Sequence, residues 1–282
     1  TLRKREHTMA TSYHKEILAF ATECAQEAGV VIKKAFTQDK VLKTKADATD
    51  LVTETDQQTE KFVINKIKAK YPTHKFIGEE STALGELAEV LTDAPTWIID
   101  PIDGTTNFVH RVPQTCISIG FADKKELVVG VIFNPINGDM FSAAKGNGAF
   151  HNGVAMKVSQ EENLIDALAC TGIWIKNREN DIILDKEIAN FKNILKNCRS
   201  TRRFGSAALS MCYLAAGQTT VYYQAGLSSW DVAAGTVIVR EAGGIVCDPY
   251  TDAPFDICAK KLLCGNAKIC AAFKKIIKDP YA

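Results

Sequence analysis

Three apolar residues, Trp97-Ile98-Ile99, run directly into Asp100-Pro101-Ile102-Asp103-Gly104-Thr105, and no other stretch of the chain limits its fold as strictly. The apolar run reads as a buried strand. Two carboxylates three residues apart follow at its C-terminal end. Pro101 restricts the backbone between them, and Gly104 lets the main chain turn tightly. Asp100 and Asp103 can then point into one space, where their repulsion needs a cation. Hard divalent ions such as Mg²⁺ take oxygen ligands of this kind. The amides of Gly104 and Thr105, opening the next helix, form an anion cradle. One short peptide therefore offers metal ligands and a phosphate seat together.

The rest of the chain supplies layers to hold that strand. Ile17, Phe20, Cys24, Ala28, Val31 and Ala35 mark one face of a helix from Ser12 to Phe36, with Ser12 as its N-cap. A polar stretch, Lys43 to Asp50, precedes a second helix that Pro72 helps to stop. Phe76-Ile77, Cys116 to Ala122, Leu127 to Phe133, Met140 to Ala144 and Ala149 to His151 read as short strands bounded by Gly, Pro, Asn or Asp, mostly antiparallel because the turns are short. After residue 155 the pattern alternates: strands at Ala167 to Thr171, Val221 to Tyr223 and Ile245 to Cys247, and helices at Asp185 to Asn197, Ser206 to Ala216, Trp230 to Ala242 and Lys268 to Ile277. With no repeat and no low-complexity linker, this predicts a compact α/β sandwich.

Composition excludes several alternatives. Lys and Arg nearly balance Asp and Glu, for a formal charge of +1, and no single-sign run resembles a nucleic-acid-binding arm. No apolar run is long enough to cross a membrane. The nine cysteines are scattered and form no Cys-x-x-Cys, so they read as reduced core thiols of a cytoplasmic protein. The five histidines form no metal set, and no Ser-His-Asp or Cys-His motif occurs. Residues 1–8 are basic without an apolar stretch behind them and read as an extension ahead of Met9; residues 9–282 form a single catalytic domain of two α/β halves, about 9–155 and 156–282.

Further acids lie at comparable places. Gly78-Glu79-Glu80 follows a strand, Ser229-Trp230-Asp231 opens a helix, and Asp56 lies near the start of the second helix. Taken singly, Glu79-Glu80 reads as an ordinary surface pair and Asp231 as an N-cap. Together with Asp50-Leu51-Val52-Thr53, Asn107-Phe108-Val109-His110, Gly205-Ser206-Ala207-Ala208, Trp230-Asp231-Val232-Ala233-Ala234-Gly235 and Glu241-Ala242-Gly243-Gly244, the sequence from about 15 to 275 resembles the inositol monophosphatase family of metal-dependent phosphatases.

That resemblance implies an α+β fold, a layered α-β-α-β-α sandwich with mixed, largely antiparallel sheets, and a homodimer. It implies two or three Mg²⁺ ions per site. Glu79, Asp100 and the carbonyl of Ile102 would hold the first, and Asp100, Asp103 and Asp231 the second. Glu79 would reach a weaker third through water. In such a two-metal clamp one ion activates water and the other stabilises the leaving oxygen. Glu79 and the Thr105 hydroxyl would orient the water, Asp56 would bond to Thr105, and the Gly104 and Thr105 amides would hold phosphate oxygens. Lys43 matches a lysine of the family's mobile loop, with two extra residues between it and Asp50.

The polyol pocket follows the family less faithfully. Gln224 stands where many relatives carry a glutamate, keeping an acceptor but losing the charge, and Thr171 to Ile175 replaces a segment that carries an acid and a serine in animal-like relatives. Ala207 fits the position whose backbone faces the sugar. The resulting expectation is Mg²⁺-dependent, lithium-sensitive hydrolysis of myo-inositol monophosphate, with no nucleic-acid or membrane partner. The alternatives are a phosphatase for a sugar 1-phosphate, histidinol phosphate or a 3′-phosphonucleotide, and a non-catalytic RNA- or protein-binding member.

Overall fold

A computed structural model of the chain describes residues 2–38, 42–44, 51–172 and 179–281. In chain order, α1 (Leu2–Phe36) is followed by a hairpin of β1 (Leu42–Thr44) and β2 (Leu51–Thr53), α2 (Glu54–Lys70), β3 (Lys75–Gly78), α3 (Glu79–Ala83), β4 (Thr96–Asp103) and α4 (Thr105–Val109). A meander then runs through β5 (Cys116–Asp123), β6 (Glu126–Asn134), β7 (Asp139–Ala144), β8 (Ala149–His151) and β9 (Val154–Ala155). The remainder comprises β10 (Leu168–Gly172), α5 (Asp181–Asn197), β11 (Ser200–Arg202), α6 (Ala207–Ala215), β12 (Val221–Ala225), α7 (Ser229–Glu241), β13 (Ile245–Cys247), β14 (Lys261–Gly265) and α8 (Ala267–Phe273).

Strand alternation sorts the core into layers. A seven-stranded sheet has the order β3-β4-β5-β6-β7-β8-β9, and a five-stranded sheet the order β11-β10-β12-β14-β13. Trp97 and Ile99 of β4 turn to one side, where they bury with Ile17, Phe20 and Ile32 of α1 and Val63 and Ile67 of α2. Ile98 turns to the other side and joins Leu209 and Met211 of α6 and Ile238 of α7, which also meet Tyr222 and Leu262 of the second sheet. Tyr223, one step along β12, faces outward onto Ile194 of α5 and Phe273 of α8. The result is helix, sheet, helix, sheet, helix, the predicted sandwich. The inner helices α6 and α7 follow residue 156 in sequence yet cover the first sheet, so the two halves share one core.

Several local expectations are corrected. Helix α1 begins at Leu2, and Ser12 lies inside it rather than capping it; no Gly or Pro between Leu2 and Ser12 interrupts the helix. The sheets are mixed and largely antiparallel as expected, with parallel pairing at β3–β4, β10–β11 and β10–β12, where helices rather than short turns make the connections. The antiparallel pair β1–β2 at the two ends of the polar stretch was not foreseen, nor was β14. No helix among the described residues is long and apolar enough to cross a membrane.

The outer layer carries a buried acid. Glu187 of α5 is 3% exposed, its Oε1 has no hydrogen-bond partner, and burial, with Asp279 nearby, pushes its carboxyl up to about 7. The folded chain therefore holds a proton that the unfolded chain releases near the ordinary glutamate range. Stability from this site is full below that range and falls as pH rises to about 7, by roughly 3 kcal/mol. Glu187→Gln should flatten the profile and raise stability at pH 8 by about 2 kcal/mol. Urea unfolding at pH 5 and pH 8 measures this, and parallel pH profiles for the two proteins would refute it.

Candidate active site

The site forms where β4 ends against the inner helices. Residues three apart on a regular strand face opposite sides. Here Asp100 pairs with Ser118 and Asp103 with Cys116, so three steps on β4 oppose two on β5, and the ladder shifts between them. This bulge turns both carboxylates toward one space. Asp231 meets them there, with one oxygen from each of the three acids within 4.8 Å of the others. The N-termini of α6 and α7 also arrive at this point, and helix N-termini favour negative charge.

Each acid is held by named donors. Asp103 is buried and accepts from the Ser206 hydroxyl and from the amides of Ala208 (2.7 Å) and Ala207 (3.3 Å). Ser206, the N-cap of α6, also accepts from the Leu209 amide at 3.1 Å, so its hydroxyl is fixed from both sides. Asp231 is the third residue of α7 and reaches back to the Ser228 amide at 2.6 Å. Asp100 accepts from the Ile102 amide at 3.0 Å.

Charge repulsion inside a buried space shows in the titration of these groups. Burial first, then the carboxylates of Glu79, Asp103 and Asp231, push Asp100 well above the ordinary carboxylate range. Burial pushes Asp103 up to about 6, opposed by its bonds from Ser206, Ala208 and Ala207. Burial likewise pushes up the Cys116 thiol, 3.9 Å from the Asp103 carboxylate.

The other expected residues distribute as follows. Glu79 opens α3, and its carboxylate lies near enough to Asp100 to push that group up. Gly104 adopts φ 85°, and a Cβ there would lie 2.8 Å from the Gln114 carbonyl oxygen. The Thr105 hydroxyl donates to the Ile102 carbonyl at 3.1 Å, so two expected site groups are paired with each other. Asp56 is buried in the first turn of α2. Ala207 presents its amide to Asp103. Gln224 accepts the buried Tyr222 hydroxyl on its Oε1 at 2.8 Å and packs against Gly172. Lys43 belongs to β1, but its side chain lies outside the described residues, as do Asp50 and residues 173–175.

Sequence reading missed the supports. Ser206 was visible as the start of a small-residue helix and as part of the Gly205-Ser206-Ala207-Ala208 motif, but not as the donor that holds Asp103. Two carboxylates cap site helices from a distance: Glu60 at α3, and Glu89, which accepts from the Ser229 amide of α7 at 2.9 Å. Neither stands in a motif.

A two-sheet sandwich that aims buried carboxylates and helix N-termini into one space has the donors to hold a hard cation beside an anionic group. Residues 14–278 match the model of the inositol monophosphatase family. Human inositol monophosphatase 1 is 42% identical over 268 residues, covering 94% of both chains. The extragenic suppressor protein suhB of Bartonella henselae superposes with a TM-score of 0.83 at 30% identity, covering 94% of this chain and 99% of that one. The inositol monophosphate-bound staphylococcal IMPase-II superposes at 0.76 with 28% identity, covering 92% of each chain, and has also been solved bound to 2′-AMP. The chain belongs to the inositol monophosphatase family and is a phosphatase.

Proposed function

We propose that the chain hydrolyses myo-inositol monophosphate to inositol and inorganic phosphate with Mg²⁺, two or three ions per site, as a cytoplasmic, lithium-sensitive homodimer. The observation that carries this reading is the cluster of Asp100, Asp103 and Asp231, with donor oxygens within 4.8 Å of one another. Such a set fits a hard divalent cation: all donors are carboxylate oxygens, and their mutual repulsion is relieved when a cation sits among them. Glu79 and the Ile102 carbonyl complete the set. When bound, the ions neutralise charge, activate the attacking water and stabilise the leaving oxygen.

The chain's own groups do the rest. Because the Thr105 hydroxyl donates its hydrogen to Ile102, its oxygen is left to accept one hydrogen of a water. Glu79 accepts the other, which turns the water's lone pair toward phosphorus. Asp56 backs Thr105. The Gly104 and Thr105 amides at the start of α4 hold phosphate oxygens as charge develops. On the polyol side, Ala207 lines the pocket. Gln224, its oxygen already engaged by Tyr222, presents its amide N–H as a donor to a hydroxyl.

Phosphate release from inositol 1-phosphate should require Mg²⁺, fall in excess Ca²⁺ or Li⁺, and disappear in chelator. Full activity in chelator without added metal would reject the reading. A second substrate class is favoured by Gln224 itself, since a donor suits an acceptor-rich nucleotide or sugar phosphate. A panel containing sugar 1-phosphates, histidinol phosphate and nucleoside 2′- and 3′-monophosphates distinguishes the two by kcat/KM.

A further inference from the structure

Helix α3 has five residues and follows Gly78 at its N-cap, whose lack of a side chain leaves the helix without a local cap. The first amides of any helix have no partner within it. Here the Glu80 and Ser81 amides donate to the two carboxylate oxygens of Glu60, at 2.7 and 2.8 Å, and the Ser81 hydroxyl donates to Glu60 as well. Glu60 belongs to α2 and is 2% exposed. It performs from another helix the task that an N-cap aspartate performs from within.

The surroundings are built to admit it. A Cβ on Gly78 would come within 2.7 Å of the Glu60 carboxyl carbon, so a side chain before α3 would push the carboxylate out of its place. Upstream, β3 is locked to β4 in parallel register, Gly78 beside Ile99, which puts Glu79 next to Asp100. Glu79 is thus held by the sheet ladder before it and by the Glu60 bonds to the two residues after it.

We propose that Glu60 is a positioning residue for Glu79: its buried carboxylate, bonded to the first turn of α3, fixes the direction in which Glu79 reaches the metal cluster. This rests on the metal-dependent reading of the site. Supports one shell removed from a metal commonly matter 10- to 100-fold for affinity or activity.

The decisive measurement is Mg²⁺ binding to the full chain by calorimetry, without substrate, paired with thermal unfolding of the metal-free protein. Glu60→Gln keeps the shape but turns an NH₂ group toward an amide donor. Its affinity for the tighter Mg²⁺ should fall about 10- to 100-fold while cooperative unfolding persists. A role confined to packing would lower the unfolding temperature and leave Mg²⁺ affinity unchanged, and that result overturns the proposal. If Glu60→Gln does not fold, Ser81→Ala takes its place, because it removes only the hydroxyl bond. A several-fold loss of Mg²⁺ affinity then supports the proposal, and an unchanged affinity overturns it. Wild-type protein that binds no divalent ion would refute the metal-dependent reading itself, a failure distinct from normal binding that ignores Glu60.

Discussion

Asp231→Asn should lower turnover by at least about 100-fold at saturating Mg²⁺ while leaving the protein folded. The substitution is conservative where the fold needs it. Asparagine keeps an acceptor for the Ser228 amide, so the start of α7 stays capped. What disappears is a charge, at the point where three carboxylates converge. Asp103→Asn should be equally inactive but less stable, because Asp103 accepts from Ser206, Ala207 and Ala208 and an NH₂ group cannot satisfy those donors. Kinetics on a phosphate ester, with thermal unfolding run in parallel, separates the two. Wild-type-like turnover by both variants would remove the carboxylate cluster from the mechanism.

Gly104→Ala should cost about 3 kcal/mol or more of stability and most of the activity. Alanine at φ 85° pays roughly 1–2 kcal/mol for the left-handed conformation alone. Its methyl would also press to 2.8 Å from the Gln114 carbonyl oxygen and 3.2 Å from that of Gly205, both backbone atoms with little freedom to retreat. Any relief must come from turning the Gly104–Thr105 peptide, which carries the proposed phosphate donors and the Thr105 hydroxyl. Urea unfolding with matched kinetics tests this. A loss below about 1 kcal/mol with normal activity would mean that the turn relaxes without moving the site.

Strand β4 and the acids at its end were legible because a buried apolar run, a proline and a glycine sit next to each other in the chain. Asp231 was legible only in combination with the other motifs, since one acid at a helix start has an ordinary explanation. The supporting roles of Glu60, Glu89 and Ser206 were not legible, because the amides they cap or the acid they hold lie 20 to 140 residues away in sequence. Strand β14 escaped because Lys261-Leu262-Leu263-Cys264-Gly265 is short and lacks alternation, and its place in the sheet comes from pairing with β12 and β13. The bond from the Tyr222 hydroxyl to the Gln224 oxygen was not legible either, because it depends on how the two side chains turn in three dimensions.

The bond from Ser206 to Asp103 has a consequence for folding as well as for chemistry. It joins the end of the first sheet to the inner helix layer across 103 residues of chain, so the acid cluster cannot form until the layers have docked. An ion that binds only the assembled cluster pulls the whole docking equilibrium with it, by an amount that grows with the logarithm of its concentration. Divalent ions would then act as a clasp on the sandwich. Protection from amide hydrogen exchange and resistance to protease along α6 and α7 should rise and fall with free Mg²⁺, even at residues that never touch it.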